Sequence, residues 1–252
     1  MPSVFAPIFT LLEFVGECTL ILSDTVRRLF RRPFEWSETV QQMAFVGSQS
    51  VPIVGMTGFF SGAVLSLYLS KFLNGYGASS LVGATVTLTV TREIGPVLAG
   101  IMVAARCGSA MAAQIGTMQV TEQIDALKML SVHPTQYLIV PRLLASVVML
   151  PILAMVCMWA GVIGGMLVAL SANIPITTFV QSIQQFVTPD DFMRGMVKAP
   201  FFGLLISLVA CQQGLRTEGG AIGVGRATTN AVVISMVLVY AANFILAQIL
   251  FG

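Results

Sequence analysis

Five apolar stretches constrain what this chain can fold into. They run over about 50–73, 80–105, 143–171, 193–213 and 228–251. Each is long enough for a helix of roughly 20 residues to cross the hydrocarbon core of a bilayer. Inside lipid every backbone polar group must be satisfied within the protein, so apolar stretches of this length read as helices. Composition points the same way. Of 252 residues, 56% are hydrophobic and 10% charged, where a soluble domain carries roughly 25% charge. The mean hydropathy is +0.88. A soluble fold this apolar would lack polar residues to cover its surface. A disordered chain, a secreted disulfide scaffold and an ordinary soluble enzyme are therefore excluded. The expected fold class is all-α: a polytopic membrane protein of five transmembrane helices, read as one domain over 1–252 with no linker or internal repeat.

Residues 4–32 read differently. Phe5, Ile8, Phe9, Leu12, Val15, Leu22, Val26 and Leu29 recur at helical spacing, with Glu13, Glu17, Asp24, Arg28 and Arg31 on the other side. This is the pattern of an amphipathic helix lying in the membrane interface, its arginines near anionic headgroups; the alternative is a helix packed on a neighbouring domain. No basic segment precedes its apolar residues and two glutamates interrupt them, so it does not read as a signal peptide.

Basic residues orient the spans. With the N-terminus in the cytoplasm, Arg27, Arg28, Arg31, Arg32, Arg106, Lys128, Arg142, Arg216 and Arg226 face that side, nine of the thirteen Lys and Arg. That agrees with the positive-inside tendency. A net charge of +2 gives no reason to expect nucleic acid. Cys18, Cys107, Cys157 and Cys211 are far apart, and His133 is the single histidine, so neither a disulfide framework nor a metal site is expected. No G-x-x-x-x-G-K-[ST], H-E-x-x-H or G-x-S-x-G occurs, so no catalytic residue is expected and ATP is not bound here through a P-loop.

The segment 91–142 carries most of the information. Arg92 and Glu93 lie inside the second apolar stretch, where an unpaired charge is expensive. Lys198 in the fourth stretch is a candidate partner for Glu93. The pair reads either as an ion pair joining helices or as a polar element of a translocation path. Pro96 is expected to bend the helix, and Arg106 to mark its cytoplasmic end. Residues 121–130, T-E-Q-I-D-A-L-K-M-L, read as a short amphipathic helix capped by Thr121. Ile124, Leu127 and Leu130 or Met129 form its apolar stripe, and Glu122, Gln123, Asp125 and Lys128 its polar face. Pro134 stops it and Pro141–Arg142 starts the next span. Such a helix is either a docking lever or a plain loop helix.

Gly58-x-x-x-Gly62 and Gly161-x-x-x-Gly165 are spaced for close helix packing. The run G-G-A-I-G-V-G-R at 219–226 lacks the spacing and preceding strand of a dinucleotide fingerprint and reads as a flexible cytoplasmic turn. Thr85, Thr87, Thr89 and Thr91 are expected to bond backbone carbonyls.

Taken together, T-R-E-I-G-P-V-L-A-G at 91–100, A-A-R-C-G-S-A-M-A-A-Q-I-G-T-M at 104–118, T-E-Q-I-D-A-L at 121–127, H-P-x-x-Y-L-x-x-P-R at 133–142 and G-A-I-G-V-G-R-A-T-T-N-A-V-V at 220–233 make the chain resemble the MlaE/YrbE permeases. These are the membrane subunits of lipid-transporting ABC systems that work with MCE proteins. The resemblance implies a homodimer in a bacterial inner membrane, with five spans and an interfacial N-terminal helix per chain. It implies a separate cytoplasmic ATPase that holds ATP and Mg, so no cofactor in this chain, and a periplasmic MCE ring. It implies that Thr121, Glu122, Gln123, Asp125, Ala126, Leu127 and Lys128, about 121–131, form the ATPase-coupling helix. The substrate implied is phospholipid, held between protomers by spans one, two and five. Helical phase then offers Leu65, Tyr68, Leu69 and Phe72 from span one and Val239, Tyr240 and Phe244 from span five as lipid-binding residues. Arg92, Glu93, Lys198 and Asn243 are the intramembrane polar residues, the last three candidates for the headgroup. Some relatives carry an acidic residue where Asn243 stands. Two rivals remain: a proton-coupled secondary transporter using Glu93, and a non-transporting membrane scaffold.

Overall fold

The computed structural model describes residues 6–29 and 36–251, which contain helices and no strand. In chain order the helices are α1 (Ala6–Leu29), α2 (Trp36–Val46), α3 (Val51–Gly75), α4 (Ser79–Val120), α5 (Gln123–Met129), α6 (Thr135–Ser171), α7 (Ile176–Phe186), α8 (Pro189–Leu215) and α9 (Gly220–Phe251). The α2–α3 run, α4, α6, α8 and α9 are each long and apolar enough to cross a membrane. The protein is therefore an all-α polytopic membrane protein. The outer parts of the 4–32 segment, with Phe5, Arg31 and Arg32, fall outside the described residues.

Small residues set the helix packing. A Cβ on Gly62 would overlap the carbonyl of Gly161, one on Gly58 the backbone of Cys157, and one on Gly164 the carbonyl of Phe59. Helices α3 and α6 thus run backbone to backbone, as the two small-residue spacings predict. Gly165 faces Val86 of α4, and Gly195 of α8 sits on the carbonyl of Thr91. The main apolar core lies where α4, α6 and α8 meet, around Ala99, Val103, Leu153, Ala154, Phe202 and Ile206. α9 is peripheral: 11% of its most apolar stretch is buried, against 67% for α8.

Four readings of the sequence change. Helix α4 does not end at Arg106 but continues to Val120. Its small-residue stretch lets α8 and α9 come close enough to hold it, with Ile115 against Gly214 and Gly116 against Thr217. Span three begins at Thr135, before Pro141, in a wide π turn, so Pro141 stands inside the span just after that turn rather than at its start. The glycine run 219–226 is not a turn: Gly219 and Gly220 alone in it have positive φ, and α9 starts at Gly220. Span four begins at Pro189, capped by Thr188, rather than at about 193, and follows the amphipathic α7, whose Phe179 and Ser182 pack against Gly83 of α4.

Helix α1 packs by its polar side. Glu13 pairs with Arg216 at 2.6 Å and Glu17 accepts from Gln212 at 2.8 Å, both on the end of α8. Cys18 and Thr25 are buried, while Phe9, Leu12, Val15 and Val26 point outward. That leaves an apolar face free for the membrane interface.

Candidate functional site

Three features of this helix assembly bear on function. The first is a polar cluster joining α4, α8 and α9. The turn Val90–Ile94 of α4 is a π turn, a widening that often accompanies functional sites. It brings Arg92 and Glu93 to face α8. Lys198, fully buried, donates to Glu93 Oε1 at 2.7 Å, to Asn243 Oδ1 at 3.1 Å and to the carbonyl of Arg92 at 3.0 Å. Asn243 Nδ2 closes the ring on Glu93 Oε2 at 2.8 Å. All three ammonium protons of Lys198 thus have acceptors. Arg92 turns the other way and donates to Asp191 Oδ1 from Nε at 2.9 Å and from Nη2 at 2.5 Å. Asp191 also accepts, at Oδ2, from Thr188 N at 2.9 Å and Thr188 Oγ1 at 2.8 Å, capping α8. The ring of Phe251 lies 5.0 Å from both Arg92 and Lys198, within cation–π range. The expected Glu93–Lys198 pair is present; Asp191, the partner of Arg92, was missed because nothing in sequence links residues ninety-nine apart.

The second feature is α5. Glu122 before it and Ser131 after it both adopt left-handed backbone, with φ of 59° and 58°, so the helix stands between two sharp reversals. Thr121 does not cap it: its hydroxyl donates back to Thr117 at 2.8 Å, and Glu122 occupies the cap position without a side-chain bond. Ile124 is buried and Leu127 half-buried, which anchors the helix on the body with Ile115, Leu138 and Ile139. Gln123, Asp125, Ala126 and Lys128 are exposed, and Lys128 pairs with Asp125 at 2.8 Å. Met129 is 87% and Leu130 74% exposed. The apolar stripe is therefore split: its front half holds the helix down, and its back half is presented outward. Sequence periodicity placed Leu130 or Met129 on the stripe with Ile124, because the reversal at Ser131 is not visible in spacing.

The third feature is the apolar surface. Tyr68 and Phe72 of α3, and Tyr240 and Phe244 of α9, are all exposed. Leu65 and Leu69 instead pack against the Val82–Val86 side of α4. Val239 is fully buried, with its Cγ1 over Gly100. A cavity of about 400 Å³ opens between α4, α6, α7 and α8, lined by Thr91, Trp159, Val162, Ile183 and Phe192 among others.

Comparison with known proteins agrees with the architecture. The family model described as Permease MlaE matches residues 39–249. A probable ABC transporter permease protein of Rickettsia bellii is 40% identical over 96% of this chain and 93% of its own length. A second, from Synechocystis, is 42% identical over 84% of this chain and 81% of its own. The chloroplastic protein TRIGALACTOSYLDIACYLGLYCEROL 1 of Arabidopsis thaliana is 36% identical over 92% of this chain and 67% of its own. This multi-pass membrane chain, with its π turn of charged residues and its outward-facing short helix, is a transporter permease and belongs to the MlaE family.

Proposed function

We propose that this permease is the membrane subunit of an ABC transporter that moves phospholipid. It works as a homodimer in a bacterial inner membrane with its N-terminus in the cytoplasm. ATP and Mg reside on a separate ATPase subunit, and phospholipid passes to or from a periplasmic MCE-domain protein. The observation that carries this reading is α5: two large apolar side chains, Met129 and Leu130, project beside the Asp125–Lys128 pair from a helix clamped at both ends. A rigid apolar tip rimmed by charge is built to seat in a cleft of a soluble partner.

The lipid substrate is supported by the outward aromatic faces of α3 and α9 and by the lipid in the name of the Arabidopsis relative. Acyl chains are held by apolar area, which Tyr68, Phe72, Tyr240 and Phe244 supply. The Glu93–Lys198–Asn243 ring and Arg92 are the polar groups available to a headgroup. In the proposed cycle, nucleotide-driven closure of the ATPase pushes α5. Ile124 and Leu127 carry that motion into α4 and α6, and the spans of the dimer rock.

The deciding experiment is mild-detergent purification of the tagged chain from its native membrane, with mass spectrometry of proteins and lipids. A stoichiometric P-loop ATPase, an MCE protein and bound phospholipid are expected. A chain that purifies without an ATPase, alongside other intact membrane complexes, overturns the reading in favour of proton coupling at Glu93.

A further inference from the structure

Among the described residues, Arg142 is a buried cation without a counter-charge. It is 6% exposed, and none of the ion pairs among the described residues includes it. Its Nη1 donates to the carbonyl of Leu138 at 2.8 Å and its Nη2 to Gln114 Oε1 at 3.1 Å. Nε has no acceptor. Both acceptors are uncharged, and a guanidinium carries five N–H groups. A buried charge left unpaired is strongly unfavourable, which is why such groups normally hold an opposite charge.

Arg142 also lines a cleft. The space measures about 460 Å³ and is bounded by Ala113, Gln114, Thr117, Met118, Gln123 and Arg142. Gln114, Thr117 and Gln123 are exposed, so the cleft is open above a buried guanidinium. It is far larger than a single carboxylate needs, and its walls mix amides and a hydroxyl with a methyl and a thioether.

Its depth in the membrane comes from helix length. The 37 residues of α6 extend about 55 Å at about 1.5 Å per residue. Centred on a bilayer, a helix that long overruns a hydrocarbon core of about 30 Å at both ends. Arg142 stands seven residues into it, so about 17 Å from its midpoint. That is the headgroup layer, which occupies roughly 15–22 Å from the centre. The layer is the one on the side of α5, since α4 and α6 meet α5 there.

We infer that this cleft binds the phosphate of a phospholipid in the leaflet beside α5, at a site separate from any lipid the permease moves. The edge of the Arg142 guanidinium that lines the cleft meets the phosphate, and the amides of Gln114 and Gln123 reach the polar headgroup. The apolar wall formed by Ala113 and Met118 takes the start of the glycerol backbone. A lipid held there ties together α4, α6 and the entry to α5, the elements that transmit motion between partner and spans. Such a site goes beyond the proposed function and does not depend on which lipid is carried.

The test is native mass spectrometry of the full chain, delipidated in neutral detergent and given phosphatidylglycerol or a diacylglycerol with the same acyl chains. The wild type is expected to hold one more phosphatidylglycerol per chain than Arg142→Gln, with part of that difference restored by Arg142→Lys. Diacylglycerol counts are expected to be equal in all three. Ala113→Leu fills the cleft with Arg142 in place and is expected to lose the same lipid, which covers the case of a misfolded Arg142→Gln. A phosphatidylglycerol count equal to wild type in either Arg142→Gln or Ala113→Leu overturns the inference. Occupancy by inorganic phosphate that excludes the lipid overturns the lipid assignment. Loss of a co-purifying partner subunit with no change in lipid count assigns Arg142 to a partner carboxylate and likewise overturns it.

Discussion

The ammonium of Lys198 lies 3.0 Å from the main-chain oxygen of Arg92. This is the carbonyl four residues before Pro96, whose ring nitrogen has no hydrogen to donate to it. The defect that proline makes in α4 is thus repaired from α8, and the repairing group also neutralises Glu93 at 2.7 Å. Backbone irregularity and charge pairing are one construction: the π turn turns Glu93 toward Lys198, and Lys198 closes the π turn.

Removing one partner of that construction leaves the other exposed to lipid-like surroundings. Lys198→Met is expected to destabilise the chain by less than the about 3 kcal/mol of a fully stranded buried charge, because the Glu93 side chain left behind is 39% exposed. Adding Glu93→Gln should recover much of the loss. Thermal unfolding in detergent measures both; a double variant no more stable than the single one would show that the lysine acts through packing rather than charge.

Helix α5 separates docking from folding. Met129→Ser with Leu130→Ser removes exposed apolar surface, and the exposed Asp125–Lys128 pair contributes about 0–1 kcal/mol to stability. Replacing Met129 and Leu130, or exchanging the charges of Asp125 and Lys128, should leave the unfolding temperature within a few degrees of wild type and abolish ATPase co-purification. Retained co-purification and transport would remove α5 from the coupling role.

The α3–α6 contact tolerates no added carbon. Gly62→Ala places a Cβ into the Gly161 carbonyl, and forced overpacking costs about 1–3 kcal/mol. Gly16→Ala in α1 meets nothing within 4 Å and replaces a helix-interior glycine, a change worth roughly 0.5–1 kcal/mol in favour of the helix. Opposite shifts of these two variants in detergent unfolding are expected; equal shifts would refute close backbone packing.

Docking of α1 should depend on acid. Burial alone would raise the Asp24 pKa, but hydrogen bonds from Thr135 and Arg28, with the charges of Arg28 and His133, outweigh it and hold the carboxyl below its ordinary 3.8. A carboxylate with a lowered folded-state pKa stabilises above its unfolded value and loses that contribution as pH falls through the lowered one. The stability difference between wild type and Asp24→Asn should therefore be constant from neutral pH to about 5, begin to fall near 3.8 and be lost as pH drops through the lowered folded-state value. A difference unchanged at pH 3 would show that Asp24 is not engaged.

Burial and the nearby Glu17 carboxylate push the Cys18 thiol up to about 11. The thiolate is the reactive form, so maleimide should label Cys18 very slowly at pH 7.5. Glu13→Gln with Glu17→Gln removes the ties of α1 to Arg216 and Gln212, and should speed labelling severalfold. Fast labelling of the wild type would mean that α1 does not rest on α8.

The features that solvent and chain connectivity dictate were legible along the chain. Long apolar runs require helices in a bilayer, paired glycines require close helices, and Glu93 inside such a run required a partner that Lys198 could be. Local rules carried these readings because each concerns a single helix or one obvious opposite charge. The packing of the helices against one another settled the rest. It extended α4 beyond Arg106 because α8 and α9 cover the small residues there, and it turned Val239 inward onto Gly100 while leaving Tyr240 and Phe244 outside. It split α5 into an anchored half and a presented half, paired Arg92 with Asp191, and left Arg142 buried with no charge opposite it among the described residues. Each of these depends on which helix lies beside which, a choice made by the summed packing of residues distant in the chain, and spacing along one helix carries no record of it.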